Sequence, residues 1–141
     1  MFIQLDDMMD DEKSKDPITE YSLSAGCTAC VALITKDTIY CANSGDSRCV
    51  LARGATAIEM SEDHKPDNSG EMRRIEAAGG FVEEGRVRGI LSLSRALGDL
   101  EYKLNKKLPV EQQMITCVPE IKKMSLTAED KFVVIACDGI W

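Results

Sequence analysis

The stretch that most constrains this chain is its last eleven residues, where Lys131 leads into Phe132-Val133-Val134-Ile135-Ala136-Cys137 and then Asp138-Gly139-Ile140-Trp141. An unbroken apolar run rich in β-branched residues predicts a strand buried on both faces, because no alternate position is left polar for water. The run stops at Asp-Gly. A carboxylate at the end of a rigid strand, beside a glycine that admits close approach, suits a hard divalent cation. The same dipeptide is among the commonest turn pairs, so a plain turn is the competing reading.

A length of 141 residues fits one domain on the soft expectation of about 150 residues each. The hydrophobic content is 44% but only 5% is aromatic, so the core must be aliphatic, with Met and Cys filling its gaps. Residues 1 to 22 hold seven Asp/Glu against Lys13 and Lys15 and so carry −5 of a net charge of −7. The body is therefore nearly neutral. Without a basic patch it is not expected to bind nucleic acid, and no apolar run approaches the ~20 residues of a membrane span.

Six cysteines (Cys27, Cys30, Cys41, Cys49, Cys117 and Cys137) lie in apolar, strand-like runs, and the N-terminus lacks the basic-then-apolar form of a secretory signal. Reduced core thiols and a cytoplasmic or nuclear location are expected. Cys27 and Cys30 spell C-x-x-C, but residues three apart on a strand face opposite sides and cannot share one zinc ion.

In chain order, residues 1 to 22 show no sustained period and are expected to be a solvated acidic tail or a loop insertion, with the folded body over 23 to 141. Cys27 to Thr35 and Thr38 to Ala42 are apolar runs around Lys36-Asp37, predicting a hairpin. Asn43-Ser44-Gly45-Asp46 is a dense turn cluster, followed by strands over 47 to 52 and 56 to 60, giving an antiparallel meander. Asp46 is a second carboxylate at a strand end, open to the same two readings as Asp138.

The sole histidine, His64, is expected to hold a loop together through hydrogen bonds. Asn68 with Glu71 resembles a capping box opening a short helix with Met72, Ile75 and Ala78 on one face, stopped by Gly79-Gly80. Residues 101 to 113 are expected to be a surface loop, and strands are expected over 114 to 118 and 121 to 126. Strands, helix, then strands, without regular alternation, make an α+β layout on antiparallel sheet.

Seven short spellings then fall in order: Ala25-Gly26-Cys27-Thr28-Ala29, Asn43 to Arg48, Asp63-His64-Lys65-Pro66, Glu76 to Gly80, Arg86-Val87, Leu93 to Asp99 and Ala136 to Trp141. Together they resemble the metal-dependent (PPM, type 2C) protein serine/threonine phosphatases, from about residue 24 onward. The resemblance implies an antiparallel β-sandwich flanked by helices, with two or more Mg²⁺ or Mn²⁺ ions at one end. It implies that Asp138 is a core metal ligand and Asp46 a ligand of an additional, weaker metal. Residues 63 to 82 correspond to the family's flap, and Arg86, just beyond it, to a substrate or flap contact. Arg48, Arg95 and Asp99 correspond to architectural positions, and Thr28 sits near the metal end.

The implied activity is hydrolysis of phosphoserine or phosphothreonine in proteins by a metal-activated water, with a phosphoprotein as partner. The family's Asp-Gly-His-Gly motif, with its bridging carboxylate, and its phosphate-gripping arginine are expected upstream of this chain, and further aspartate ligands downstream. The chain is thus expected to be the central part of a longer catalytic domain, an incomplete copy of the fold. An inactive fragment of the same fold acting as a binding or regulatory module is the alternative. Substrate identity and oligomeric state have no signature in the sequence.

Overall fold

The computed structural model describes residues 1–13 and 25–141. Helix α1 (Phe2–Lys13) comes first, followed by ten strands and a second helix. The strands are β1 (Gly26–Cys27), β2 (Ala29–Ile34), β3 (Thr38–Ser44), β4 (Arg48–Arg53), β5 (Thr56–Glu59), β6 (Val82–Glu83), β7 (Arg86–Val87), β8 (Leu97–Gly98), β9 (Glu120–Ser125) and β10 (Asp130–Ala136), with α2 (Ser69–Ala77) between β5 and β6.

Two three-stranded antiparallel sheets, ordered β2-β3-β9 and β10-β4-β5, carry the architecture. They face each other across Ile39 and Cys41 of β3, Cys49 and Leu51 of β4, and Met60, with Cys30, Ala32, Ile58, Met124 and Val133 packed around them. Both sheets contribute every second residue to this layer, as strand geometry requires. Ile39 is fully buried. Ile39→Val is expected to lower stability by about 0.5–1.5 kcal/mol, the usual cost of one deleted core methyl group, read as a shift of the urea midpoint at unchanged slope.

The expected hairpin over 27 to 42 is present as β2 and β3. The expected meander is not a single sheet. The chain leaves one sheet at Ser44 and enters the other at Arg48, so the turn cluster is a corner between layers and not a hairpin loop. A run of turn residues signals a change of direction, but whether the next strand pairs or crosses depends on which face must be covered.

Other expectations are corrected by packing. β10 is a strand, but it lies at the edge of its sheet, with Phe132, Val134 and Ile135 exposed. Its apolar run is matched by no second packed layer among the described residues. Residues 114 to 117 are buried, but the 114 to 118 segment forms only an isolated bridge, Thr116 to Arg95, instead of a strand. Cys27 and Cys137 are exposed, so only four of the six thiols are wholly or partly buried.

Residues 1 to 22, expected as a tail or insertion, begin with α1, which buries Phe2 against Leu97 and Cys117. Residues 14 to 22 lie outside the described residues. Asp6, also on α1, accepts hydrogen bonds from the Gly98 N–H (2.8 Å) and Lys103 Nζ (2.7 Å). Lys103 therefore belongs to the interior side of the 101 to 113 segment, as does Tyr102, and that segment is only partly a surface loop.

The helix α2 is where expected and stops at Gly79, whose φ of +89° accommodates the left-handed end. The capping box does not form. Asn68 occupies the cap position without a side-chain cap bond and donates instead to the Asp63 carbonyl (2.8 Å). Glu71 turns inward, because two arginines and a serine offer its carboxylate stronger partners than one backbone N–H. Among the described residues, no helix is long and apolar enough to cross a membrane.

Candidate metal centre

Asp46 sits in the β3–β4 corner and is buried. The corner is held from several directions. The amide of Asn43 donates to the carbonyls of Gly45 (3.1 Å) and Glu62 (3.0 Å), so one side chain ties the turn to the segment after β5. The Gly45 N–H donates to His64 Nδ1 (3.2 Å), and the His64 N–H donates back to the Gly45 carbonyl (3.0 Å). Gly45 has φ of +116°, and a Cβ there would collide with the side chain of Thr28. Only glycine meets both demands without strain. Thr28 and Ser47 share a hydroxyl hydrogen bond of 2.7 Å, which closes the corner against β2.

Asp138 follows β10 in a turn closed by the Ile140 N–H to the Cys137 carbonyl (3.1 Å). The indole N–H of Trp141 donates to the Ala136 carbonyl (3.1 Å), and the Arg48 guanidinium stands 5.5 Å from the indole ring centre. The β10–β4 ladder pairs Ile135 with Cys49 and Ala136 with Arg48. Two residues further along each strand stand Asp138 and Asp46, so the register carries both carboxylates to the same end of the sheet. They are turn residues as well, and the two readings of each are compatible.

The carboxylate of Asp46 is ion-paired with the Lys65 ammonium. The ammonium occupies the oxygen that a bound metal would use. The donor set is hard oxygen, which suits Mg²⁺ or Mn²⁺ better than zinc. Among the described residues, however, no group of three or more potential ligands converges. Two carboxylates alone leave most of a cation's shell to water and bind it weakly.

Arg86 is not brought to this end by any contact. It lies exposed in the β6–β7 hairpin and donates to the Ile90 carbonyl (2.7 Å). Arg48 is architectural, as the resemblance implied, gripping Asp63 with two hydrogen bonds of 3.0 Å each. His64 has the structural role expected of it: burial lowers its pKa, and the Arg95 charge lowers it further, so the ring is neutral near pH 7. With Nδ1 accepting from Gly45, Nε2 carries the proton and faces Glu120 Oε2 at 3.4 Å. That edge opens on a cavity of about 300 Å³ lined also by Glu62, Glu71 and Arg95.

Three features escaped the sequence reading. Lys65 is one residue from the histidine that drew attention, but a lysine beside a proline carries no local sign of its partner. Glu71 reads as a helix-start residue and instead accepts from Arg74 Nη1 (2.7 Å), Arg95 Nη2 (2.7 Å) and Ser94 Oγ (2.6 Å). The third is the meeting of Cys30, Cys41 and Cys49, which come from three strands and both sheets.

Paired antiparallel sheets with two aspartates at one shared end, flanked by helices, define an α+β sandwich. Comparison with known proteins is specific: the chain belongs to the Protein phosphatase 2C family, whose model matches residues 2–141. Protein phosphatase 2C 1 of Paramecium tetraurelia is 50% identical over 99% of this chain and 49% of its own length. Probable protein phosphatase 2C 21 of Arabidopsis thaliana is 53% identical over 84% of this chain and 33% of its own. Among solved structures, a phosphatase from a pathogenic strain of Toxoplasma gondii is similar at 40% identity and a TM-score of 0.69, covering 73% of this chain and 32% of that one. A sex-determining protein of C. elegans matches over 99% of this chain and 38% of that one, at 28% identity and a TM-score of 0.73. The chain thus spans about half the length of the Paramecium relatives it matches.

Proposed function

We propose that residues 23 to 141 are the central part of a catalytic domain that hydrolyses phosphoserine and phosphothreonine in proteins, with α1 docked against it. The observation that carries this reading is the register that puts Asp46 and Asp138 at one end of the β4–β10 pair, within a chain of the Protein phosphatase 2C family. Asp46 and Asp138 supply carboxylate oxygens to Mg²⁺ or Mn²⁺. The chemistry such a cation would supply when bound is a lower pKa for coordinated water, so that hydroxide is available as the nucleophile, and compensation of charge on the phosphoryl oxygens. This chain's own residues orient and hold: His64, Asn43 and the Thr28–Ser47 pair fix the corner, and Lys65 keeps the Asp46 carboxylate in place until a stronger cation displaces it. Arg86, exposed beside the 63 to 82 segment, is available to the phosphoprotein and not to the metal. Six free cysteines agree with a reducing, cytoplasmic or nuclear setting.

Mn²⁺ titration of this chain, followed by the paramagnetic resonance of the free ion, is expected to show weak binding. Asp46→Asn and Asp138→Asn should each weaken it at least tenfold, or about 1.4 kcal/mol. Affinity unchanged from the wild-type chain in both variants would overturn the ligand assignment. A phosphopeptide assay on the full-length protein tests the activity itself, and an inactive full-length protein with intact Mn²⁺ binding would favour a binding role.

A further inference from the structure

Cys30 on β2 and Cys41 on β3 place their sulfurs 3.8 Å apart within the layer between the sheets. They are diagonal neighbours: the ladder pairs Ala32 with Cys41 and Cys30 with Asn43. Cys41 and Cys49 are fully buried, whereas Cys30 is half-buried and so can be reached from solvent. Neither the proposed metal chemistry nor the corner uses these thiols.

We propose that Cys30 and Cys41 are a modification site, an oxidisable pair that a peroxide converts to a disulfide. The half-buried Cys30 sulfur attacks one oxygen of hydrogen peroxide, the O–O bond breaks, and Cys30 becomes a sulfenic acid. The Cys41 sulfur then attacks the Cys30 sulfur and expels the sulfenic oxygen, which leaves as water with the Cys41 proton. The balance is two thiols and one peroxide giving one disulfide and two waters, with the sulfurs oxidised and the peroxide reduced.

The geometry favours this pair. The sulfurs already touch and must close to about 2.05 Å, and among the described residues β2 is an edge strand paired only with β3, so it can follow. The hydrogen bond with Cys41 lowers the Cys30 thiol below its ordinary pKa, and the same bond, with burial, raises that of Cys41. Cys30 is thus the attacking thiol and Cys41 the resolving one. Burial, with the Cys41 charge, pushes Cys49 up to about 12, and like Cys41 it is fully buried, so Cys30 is the one of the three that first meets solvent oxidant. Thr28, two residues before Cys30, is bonded to Ser47 beside Asp46, so closure pulls on the strand that flanks the aspartate corner.

Trypsin separates the participants, releasing Cys27 and Cys30 in residues 16 to 36, Cys41 in residues 37 to 48 and Cys49 in residues 49 to 53. After brief treatment of the chain with hydrogen peroxide and alkylation of the remaining thiols, mass spectrometry without reductant should find peptides 16–36 and 37–48 joined. The joined species is lighter by two hydrogen atoms than its parts and is lost on reduction. Cys27→Ser and Cys49→Ser should each retain it. Recovery of peptide 37–48 fully alkylated, its joining to 49–53 instead, or loss of the link in Cys27→Ser would overturn the assignment. In the wild-type digest, fragmentation of the joined species should place the one alkylated cysteine of peptide 16–36 at Cys27, a reading that needs no variant to fold; the alkyl group on Cys30 instead would overturn the assignment.

Discussion

Glu71→Gln is expected to destabilise the fold by about 3 kcal/mol, because it removes one partner of a buried charge network and leaves the others uncompensated. Glu71 is buried, and its carboxylate receives Arg95 through Nη2 at 2.7 Å, Arg74 through Nη1 at 2.7 Å and the Ser94 hydroxyl at 2.6 Å. These contacts join α2 to the segment after β7. Arg74 continues the network to the carbonyls of Ser94 and Gln113, and Arg95 to that of Val118. Glutamine keeps the shape but not the charge, so urea unfolding of the variant measures the electrostatic part.

The same group sets a pH dependence. Burial by itself would push the Glu71 carboxyl up, but the hydrogen bonds from Arg95 and Ser94, with the Arg74 charge, outweigh it and bring the pKa down to about 2. A carboxylate depressed from 4.5 to about 2 favours the folded state above its unfolded pKa. That contribution, up to about 3 kcal/mol, is lost as pH falls from about 4.5 through about 2. The wild-type stability curve should steepen over that window. In Glu71→Gln the steepening from this group should be absent, and an unchanged acid limb would show that other carboxylates dominate.

The second large effect is expected at Lys103, whose side chain is only 6% exposed and pairs with Asp6, 8% exposed. Lys103 also donates to the Ala96 carbonyl (2.8 Å). Lys103→Met should cost about 3–5 kcal/mol, because the Asp6 carboxylate is left buried with one backbone N–H as its hydrogen-bond partner. The loss falls on the seat of α1, so limited proteolysis should release the N-terminal helix before the sandwich unfolds. Asp6→Asn combined with Lys103→Met should recover part of the loss, since no charge is then stranded. If the double variant is no better than the single, the pair does not act as a unit.

Local features were largely legible before the fold was known. The hairpin around Lys36-Asp37, the helix ending at Gly79, β9 and β10 all lie where period and turn chemistry put them. Cys27 and Cys30, expected on one strand, lie on two, β1 and β2, which belong to different sheets. The two aspartates were visible as carboxylates at strand ends, and the ladder brings them to one end. Arg86 is exposed in its hairpin, where it donates to the Ile90 carbonyl.

The antiparallel sandwich implied by the family resemblance is present, but several readings made from local pattern alone failed for want of a neighbour from another part of the chain. A strand hydrophobic on both sides was expected to be buried on both, yet β10 lies at an edge with Phe132 in solvent. Glu71 reads as a cap because the cap is the nearest partner in sequence, while two of its three side-chain partners, Ser94 and Arg95, lie more than twenty residues away. The acidic start was read as a tail since nothing local shows that Asp6 meets Lys103, ninety-seven residues on.

The amino-acid order by itself therefore determined the elements, their turns and the succession of short motifs, because these follow from backbone sterics and side-chain periodicity over a few residues. Tertiary structure alone decided which charges are buried together, that Lys65 holds Asp46, and that thiols from three strands share one layer. Those outcomes depend on register and on how two sheets close over each other, and both are set by the packing of the whole body at once.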